Sequence, residues 1–206
     1  PHGVPSEDIT KNIDSSKCSK EKFILFFGVI SPRKGIEWLF RAFARAKHEI
    51  REYKLILAGF EPPYYSGYKM SLERRAEKLN IKEDVVFTGY ISFSELHNLF
   101  VNAEIVVFPY LISVSGSGPL TYAMKYGKPI IASKTPYFAE VLKDGYDAIL
   151  VPVNDKESFS QAIVNLIKNN ELRRKFSQRI IEKAKAYFWD EVAKKTVLLY
   201  DSLLFM

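Results

Sequence analysis

The stretch "KFILFFGVI", residues 22–30, is an almost unbroken apolar run with a single glycine near its end. A strand of that composition has no polar face to offer water, so it has to be covered on both sides. The next segment changes period. In "SPRKGIEWLFRAFARAKHEI", Ile36, Leu39, Phe40, Phe43 and Ala46 recur at the three-and-four spacing of a helix with one apolar stripe. A doubly buried strand followed by an amphipathic helix is the repeating unit of a parallel sheet sandwiched between helices.

The unit recurs along the chain. "YKLILAGF" (53–60) reads as a strand and "YKMSLERRAEKLN" (68–80) as the helix after it. "DVVFTGY" (84–90) is a strand and "SFSELHNLFVNA" (92–103) a helix, with Ser94 as its expected cap. "EIVVFPY" (104–110) is a further strand, and the helix at 118–126 leads through Gly127-Lys128-Pro129 into the strand "PIIAS". A last short strand, "AILVPV", follows "TPYFAEVLKDG". From Asp155 onward the pattern is helical, with breaks or caps expected at Asn170 or Asp190. The fold class predicted is α/β: a doubly wound parallel sheet of about six strands, helices on both faces, and a helical C-terminal tail.

Length and composition fit one body. The 206 residues are 47% hydrophobic, enough for a continuous core. The expected division is a polar loop region over 1–21, a parallel core over 22–153 and C-terminal helices over 154–206. No apolar run approaches the roughly 20 residues that span a bilayer. The lone Cys18 permits no internal disulfide and no metal-ligand spacing, which fits a reducing, cytoplasmic compartment. The net charge of +6 is spread as Lys/Glu mixtures on helix faces, which argues against a nucleic-acid partner. Lysine and glutamate richness hints at a heat-adapted source. The opening Pro1-His2-Gly3 leads us to expect a piece of a longer polypeptide.

In a doubly wound sheet, ligands bind outside the carboxyl ends of the strands. Three clusters fall there: Gly28 to Gly35, Gly59 to Tyr65 and Tyr110 to Gly118. The third belongs to "SVSGSGPLTYAMKYGKPII" (113–131), which lies in a gap from Glu104 to Glu140 with no acidic residue, while Lys125, Lys128 and Lys134 fall inside it. Glycines before a helix leave backbone N–H groups free for an anion, and Ser115 and Ser117 add hydroxyls. An ordinary strand-to-helix turn has the same composition, and that alternative stays open. Arg33 and Lys34 precede the first helix and could neutralise a departing diphosphate; a solvated pair on a turn is the competing reading.

The ordered set His2-Gly3-Val4, Lys34-Gly35, Gly89, Pro109, Gly127-Lys128-Pro129, Glu140, Gly145 and Asp155 resembles the C-terminal, donor-binding domain of GT-B retaining glycosyltransferases, family 4 (glycosyl transferases group 1). The resemblance covers essentially the whole chain. It implies a Rossmann-like domain that takes a nucleoside-diphosphate sugar and faces an N-terminal acceptor domain absent from this piece. His2-Gly3-Val4 would leave the interdomain linker, and the final helix would pack back toward that domain. It implies no metal and no cofactor beyond the donor substrate. The intact protein would be a hexosyltransferase acting on a glycan or lipid-linked acceptor, this piece being inactive alone. Peripheral membrane contact at the cytosolic face stays an open alternative.

The resemblance also assigns residues. Lys34 would contact the diphosphate and Gly28 would form the turn before it. Arg33 would substitute for a family arginine whose position here is Val29. The base would lie along Gly89, Tyr90 and Ile91, and the donor phosphate or sugar against Ser115, Gly116, Ser117 and Gly118, with Leu120, Thr121 and Tyr122 completing the donor site. One departure is plain. The family's two glutamates, eight positions apart, fall here on Val114 and Tyr122. Tyr122 and Thr121 could bond ribose hydroxyls without charge, Tyr122 as a core or rim aromatic being the alternative. Two other functional readings follow from that loss: a non-catalytic module that keeps the fold for binding or assembly, and another nucleotide-sugar enzyme such as a retaining epimerase.

Overall fold

The computed structural model describes residues 21–204. His2-Gly3-Val4, Cys18 and nearly all of the expected loop over 1–21 lie outside them. Six strands form one sheet: Lys22–Phe27 (β1), Tyr53–Ala58 (β2), Val85–Gly89 (β3), Ile105–Phe108 (β4), Ile130–Ser133 (β5) and Ile149–Val151 (β6). Their order is β3-β2-β1-β4-β5-β6 and every neighbouring pair is parallel. The helices are Ile36–Ala46 (α1), Tyr68–Lys78 (α2), Phe93–Asn102 (α3), Gly118–Lys125 (α4), Pro136–Val141 (α5), Lys156–Lys168 (α6), Asn170–Lys185 (α7) and Trp189–Leu204 (α8).

The chain builds outward from β1 to β3, returns past β1 to β4, and builds outward the other way. Where the direction reverses, the loops after β1 and β4 border a crevice at the carboxyl ends of the strands. The α/β class read from the alternating runs is the architecture observed. The central strands β1, β4 and β5 are buried almost throughout, as their unbroken apolar runs require. α1 turns Ile36, Leu39, Phe40 and Phe43 into the core and packs on α2 and α6. Each such side chain is worth about 1.5–3 kcal/mol relative to exposure. On the other face α4 packs on α7, and Phe100 of α3 stacks on Tyr122 of α4 and on Tyr126, the residue that caps it, at centroid separations of 5.9 and 5.2 Å.

Two caps differ from the sequence reading. Ser92, not Ser94, caps α3: its hydroxyl accepts the Glu95 N–H while the Glu95 carboxylate accepts the Ser92 N–H, a reciprocal box. Only Ser92 has an acid three residues on, and that decides between the two serines. The break between α6 and α7 lies at Asn169, whose side chain accepts the Leu172 N–H; Asn170 is already helical, and Asp190 lies in the first turn of α8. α8 buries none of its residues, and Leu198, Leu203 and Leu204 lie exposed along it. Among the described residues no helix is long and apolar enough to cross a membrane.

Candidate functional site

Backbone packed on backbone holds the crevice open. Gly59 follows β2 with φ of +148°, and a Cβ there would sit 1.9 Å from the Gly28 carbonyl oxygen at the end of β1. No side chain fits at that point. A single 3-10 turn, Pro32–Lys34, then leads to Gly35, whose φ is +68°. A Cβ on Gly35 would lie 1.9 Å from the Pro109 carbonyl oxygen, and the Leu111 N–H donates to the Arg33 carbonyl at 3.0 Å. The loop after β1 is thereby locked to the loop after β4.

That lock positions Lys34. Its ammonium stands 3.6 Å from the centroid of the Tyr110 ring, a cation–π contact at close range. Burial, reinforced by repulsion from the neighbouring Arg33 guanidinium, lowers the Lys34 ammonium from its ordinary 10.5 to about 8. Tyr110 itself is buried, which pushes its hydroxyl up to about 12, the adjacent Ser117 offsetting part of the rise. That hydroxyl has no hydrogen-bond partner among the described residues.

Two clefts meet at Lys34. The first, of about 500 Å³, runs from Gly28 and Gly118 past Phe27, Pro119 and Tyr122 to Phe60, Tyr90, Ile91 and Phe93. Its walls are aromatic and aliphatic, with Lys34 the one charged lining residue. At the outer end the Phe60 and Tyr90 rings lie 6.4 Å apart, a platform for a flat group. The second cleft, of about 370 Å³, is lined by Arg33, Lys34, Tyr110, Ser113, Val114, Ser115 and Gly116. The first suits a planar ring joined to an anion, and the second a polar group beside two cations.

The structure thus divides the residues singled out from sequence. Gly28, Lys34, Tyr90, Ile91, Gly118 and Tyr122 line the first cleft; Arg33, Ser115 and Gly116 line the second. Gly89 stands just behind the first, its carbonyl accepting the Gly59 N–H at 3.2 Å. Leu120 is fully buried in the core, and Thr121, also buried, donates its hydroxyl to the Gly118 carbonyl at 2.7 Å. Ser117 is committed inside the protein: its hydroxyl accepts the Leu120 N–H and its own N–H donates to the Tyr137 hydroxyl at 3.2 Å. Pro119 has no N–H, so the start of α4 presents fewer free amides than the glycine-rich spelling suggests. Phe27 and Phe93 line the first cleft without having been singled out from sequence, whereas Tyr110 opened one of the three expected clusters but not as a ring beneath Lys34. Phe93 had a local signal, an aromatic directly after a capping serine; Phe27 read as an ordinary strand residue.

Residues 8–183 match the sequence profile of the glycosyl transferases group 1 family. An uncharacterised glycosyltransferase of Methanocaldococcus jannaschii is 31% identical over 186 residues, 87% of this chain and 45% of that protein. The phosphatidyl-myo-inositol mannosyltransferase of Mycobacterium leprae is 27% identical over 183 residues, 88% of this chain and 47% of that protein. Among solved structures, sucrose-phosphate synthase from Thermosynechococcus elongatus superposes with a TM-score of 0.80 at 26% identity, covering 90% of this chain and 46% of that one. The chain spans about half the length of the relatives it matches.

Proposed function

The chain belongs to the glycosyl transferases group 1 family, and on that premise we propose that it is the donor-binding half of a retaining glycosyltransferase of family 4. The observation that carries the proposal is the Lys34 ammonium, held over Tyr110 between an aromatic cleft and a polar one. In this reading the nucleobase rests on Phe60 and Tyr90, the pentose lies against Tyr122, and the diphosphate lies at Lys34 and the Gly118 amide. The sugar enters the second cleft beside Arg33, Ser115 and Gly116. An N-terminal domain of the same polypeptide supplies the glycan or lipid-linked acceptor, and the intact enzyme works in the cytoplasm or at the cytosolic face of a membrane.

The chemistry follows from the charges. The bond between the anomeric carbon and the distal phosphate oxygen breaks, and its electron pair leaves with the diphosphate. Lys34 and Arg33 stabilise that growing negative charge. The acceptor hydroxyl bonds to the anomeric carbon on the face the diphosphate leaves, and its proton passes to the departing phosphate oxygen. What the protein contributes is positioning and fixed positive charge.

Calorimetric titration of the 206-residue chain with UDP, GDP and ADP tests this. Submillimolar binding of at least one is the expected result; no binding of any at millimolar concentration would sink it. A second reading, a non-catalytic binding module, is favoured by one observation: no carboxylate lines either cleft among the described residues. It requires that Lys34→Ala leave the activity of the full-length protein untouched.

A further inference from the structure

The first cleft holds its ligand by the two ends and offers little to the middle. A nucleoside diphosphate runs base, pentose, phosphate, phosphate. With the phosphates at Lys34 and Gly118 and the base on Phe60 and Tyr90, the pentose falls beside Tyr122. Tyr122 lies four residues after Gly118, hence on the same face of α4 and about one 5.4 Å turn behind it. Nucleotide-binding α/β folds commonly read ribose with a carboxylate that accepts from its hydroxyls.

Here that reader is missing from the described residues. Lys34 is the one charged group lining the cleft. The two acids nearest along the chain are occupied: Glu61 accepts the Lys69 N–H at 2.6 Å, and Glu95 accepts the N–H and hydroxyl of Ser92 at 2.7 and 2.6 Å. Tyr122 is neutral and wedged edge-on to Phe27 at 6.1 Å and stacked on Phe100 at 5.9 Å. The surroundings of the pentose are therefore aromatic and aliphatic apart from the uncharged Tyr122 hydroxyl, against which a CH₂ at C2′ forgoes one neutral hydrogen bond at most.

We propose that this cleft takes 2′-deoxyribonucleoside diphosphates as readily as their ribo counterparts, so that deoxyribonucleotide sugars of the thymidine type fall within its donor class. The inference rests on the nucleotide reading above. A carboxylate reader would separate the two forms by on the order of ten- to a hundredfold, a neutral phenol by a few fold at most.

The test titrates the 206-residue chain with matched pairs: UDP and dUDP, GDP and dGDP, ADP and dADP. In every pair that binds, the two dissociation constants should lie within fivefold of each other. A ribo form favoured by more than fivefold overturns the inference and leaves the nucleotide reading standing. No binding in any pair overturns both. In a folded Tyr122→Glu chain the ribo form should become favoured by tenfold or more; an unchanged ratio there would remove the pentose from Tyr122 and the inference with it.

Discussion

Lys34 and Lys128 sit in two corners of the molecule with the same electrostatic outcome and different neighbours. Burial lowers both ammonium groups to about 8. Lys128 spends its hydrogen bonds on the end of α3, donating to the carbonyls of Val101 at 2.7 Å and Ala103 at 2.9 Å, where a helix leaves acceptors unfilled. Lys34 has the Tyr110 ring under it, Arg33 beside it and no carbonyl or carboxylate to donate to among the described residues. A half-hidden lysine with its donors filled is a structural pin. One that lines an open cleft with its donors unfilled is able to take an anion.

The largest effect should come from moving Lys34 without changing it. Gly35→Ala forces a side chain at φ +68° into the Pro109 carbonyl, at a cost of about 3 kcal/mol or more. Thermal unfolding followed by circular dichroism should show a midpoint lower by roughly 6–12 °C, with nucleotide affinity falling too. Removing the charges separates the two lysines. Lys34→Met should weaken nucleotide binding by about ten- to a hundredfold with little loss of stability. Lys128→Met should do the reverse, lowering stability by about 1–3 kcal/mol because the Val101 and Ala103 carbonyls lose their donor. Paired calorimetry and denaturant titration read both axes; equal effects from the two substitutions would erase the distinction.

The smallest effect is in the pH profile. A lysine whose folded value is drawn below its unfolded 10.5 opposes folding while charged, so stability rises with pH between about 8 and 10.5, for Lys34 and Lys128 alike. Nucleotide affinity should go the other way, because in the proposed function the Lys34 ammonium binds the diphosphate. It should fall as pH passes 8, keep that fall in Lys128→Met and lose it in Lys34→Met. Titrations at pH 7 and pH 9 suffice to see it.

The fold was readable because it is written in local periodicity: "KFILFFGVI" and "EIVVFPY" show no polar face, and α1 shows a clean stripe. The cationic end of the cleft was readable for a related reason, since Gly28, Lys34 and Gly35 are neighbours in the chain. The aromatic end was readable only in part, through Tyr90 and the cluster that holds Phe60. Phe27 ends β1, Phe60 lies in the loop after β2 and Phe93 opens α3, and nothing in their spacing brings them together. Ser117 shows the same limit in reverse: its sequence context promises a free amide, and Tyr137, 20 residues on, takes it. The cap of α3 was legible and misassigned; the pattern Ser92-Phe93-Ser94-Glu95 already singles out the serine three residues before the acid.

The strand order has a consequence for how such a site can diverge. The platform for the flat group hangs from the loops after β2 and β3, whereas the cationic end hangs from the loops after β1 and β4. The two pairs meet at the backbone, where Gly59 packs on Gly28 and the Ile30 N–H donates to the Phe60 carbonyl, so a change of side chain at the platform leaves the cationic end in place while a change of backbone carries across to it. Under the proposed function, drift in the side chains of Phe60, Tyr90 and Phe93 would exchange one nucleobase for another while Lys34 and Arg33 stay where they are.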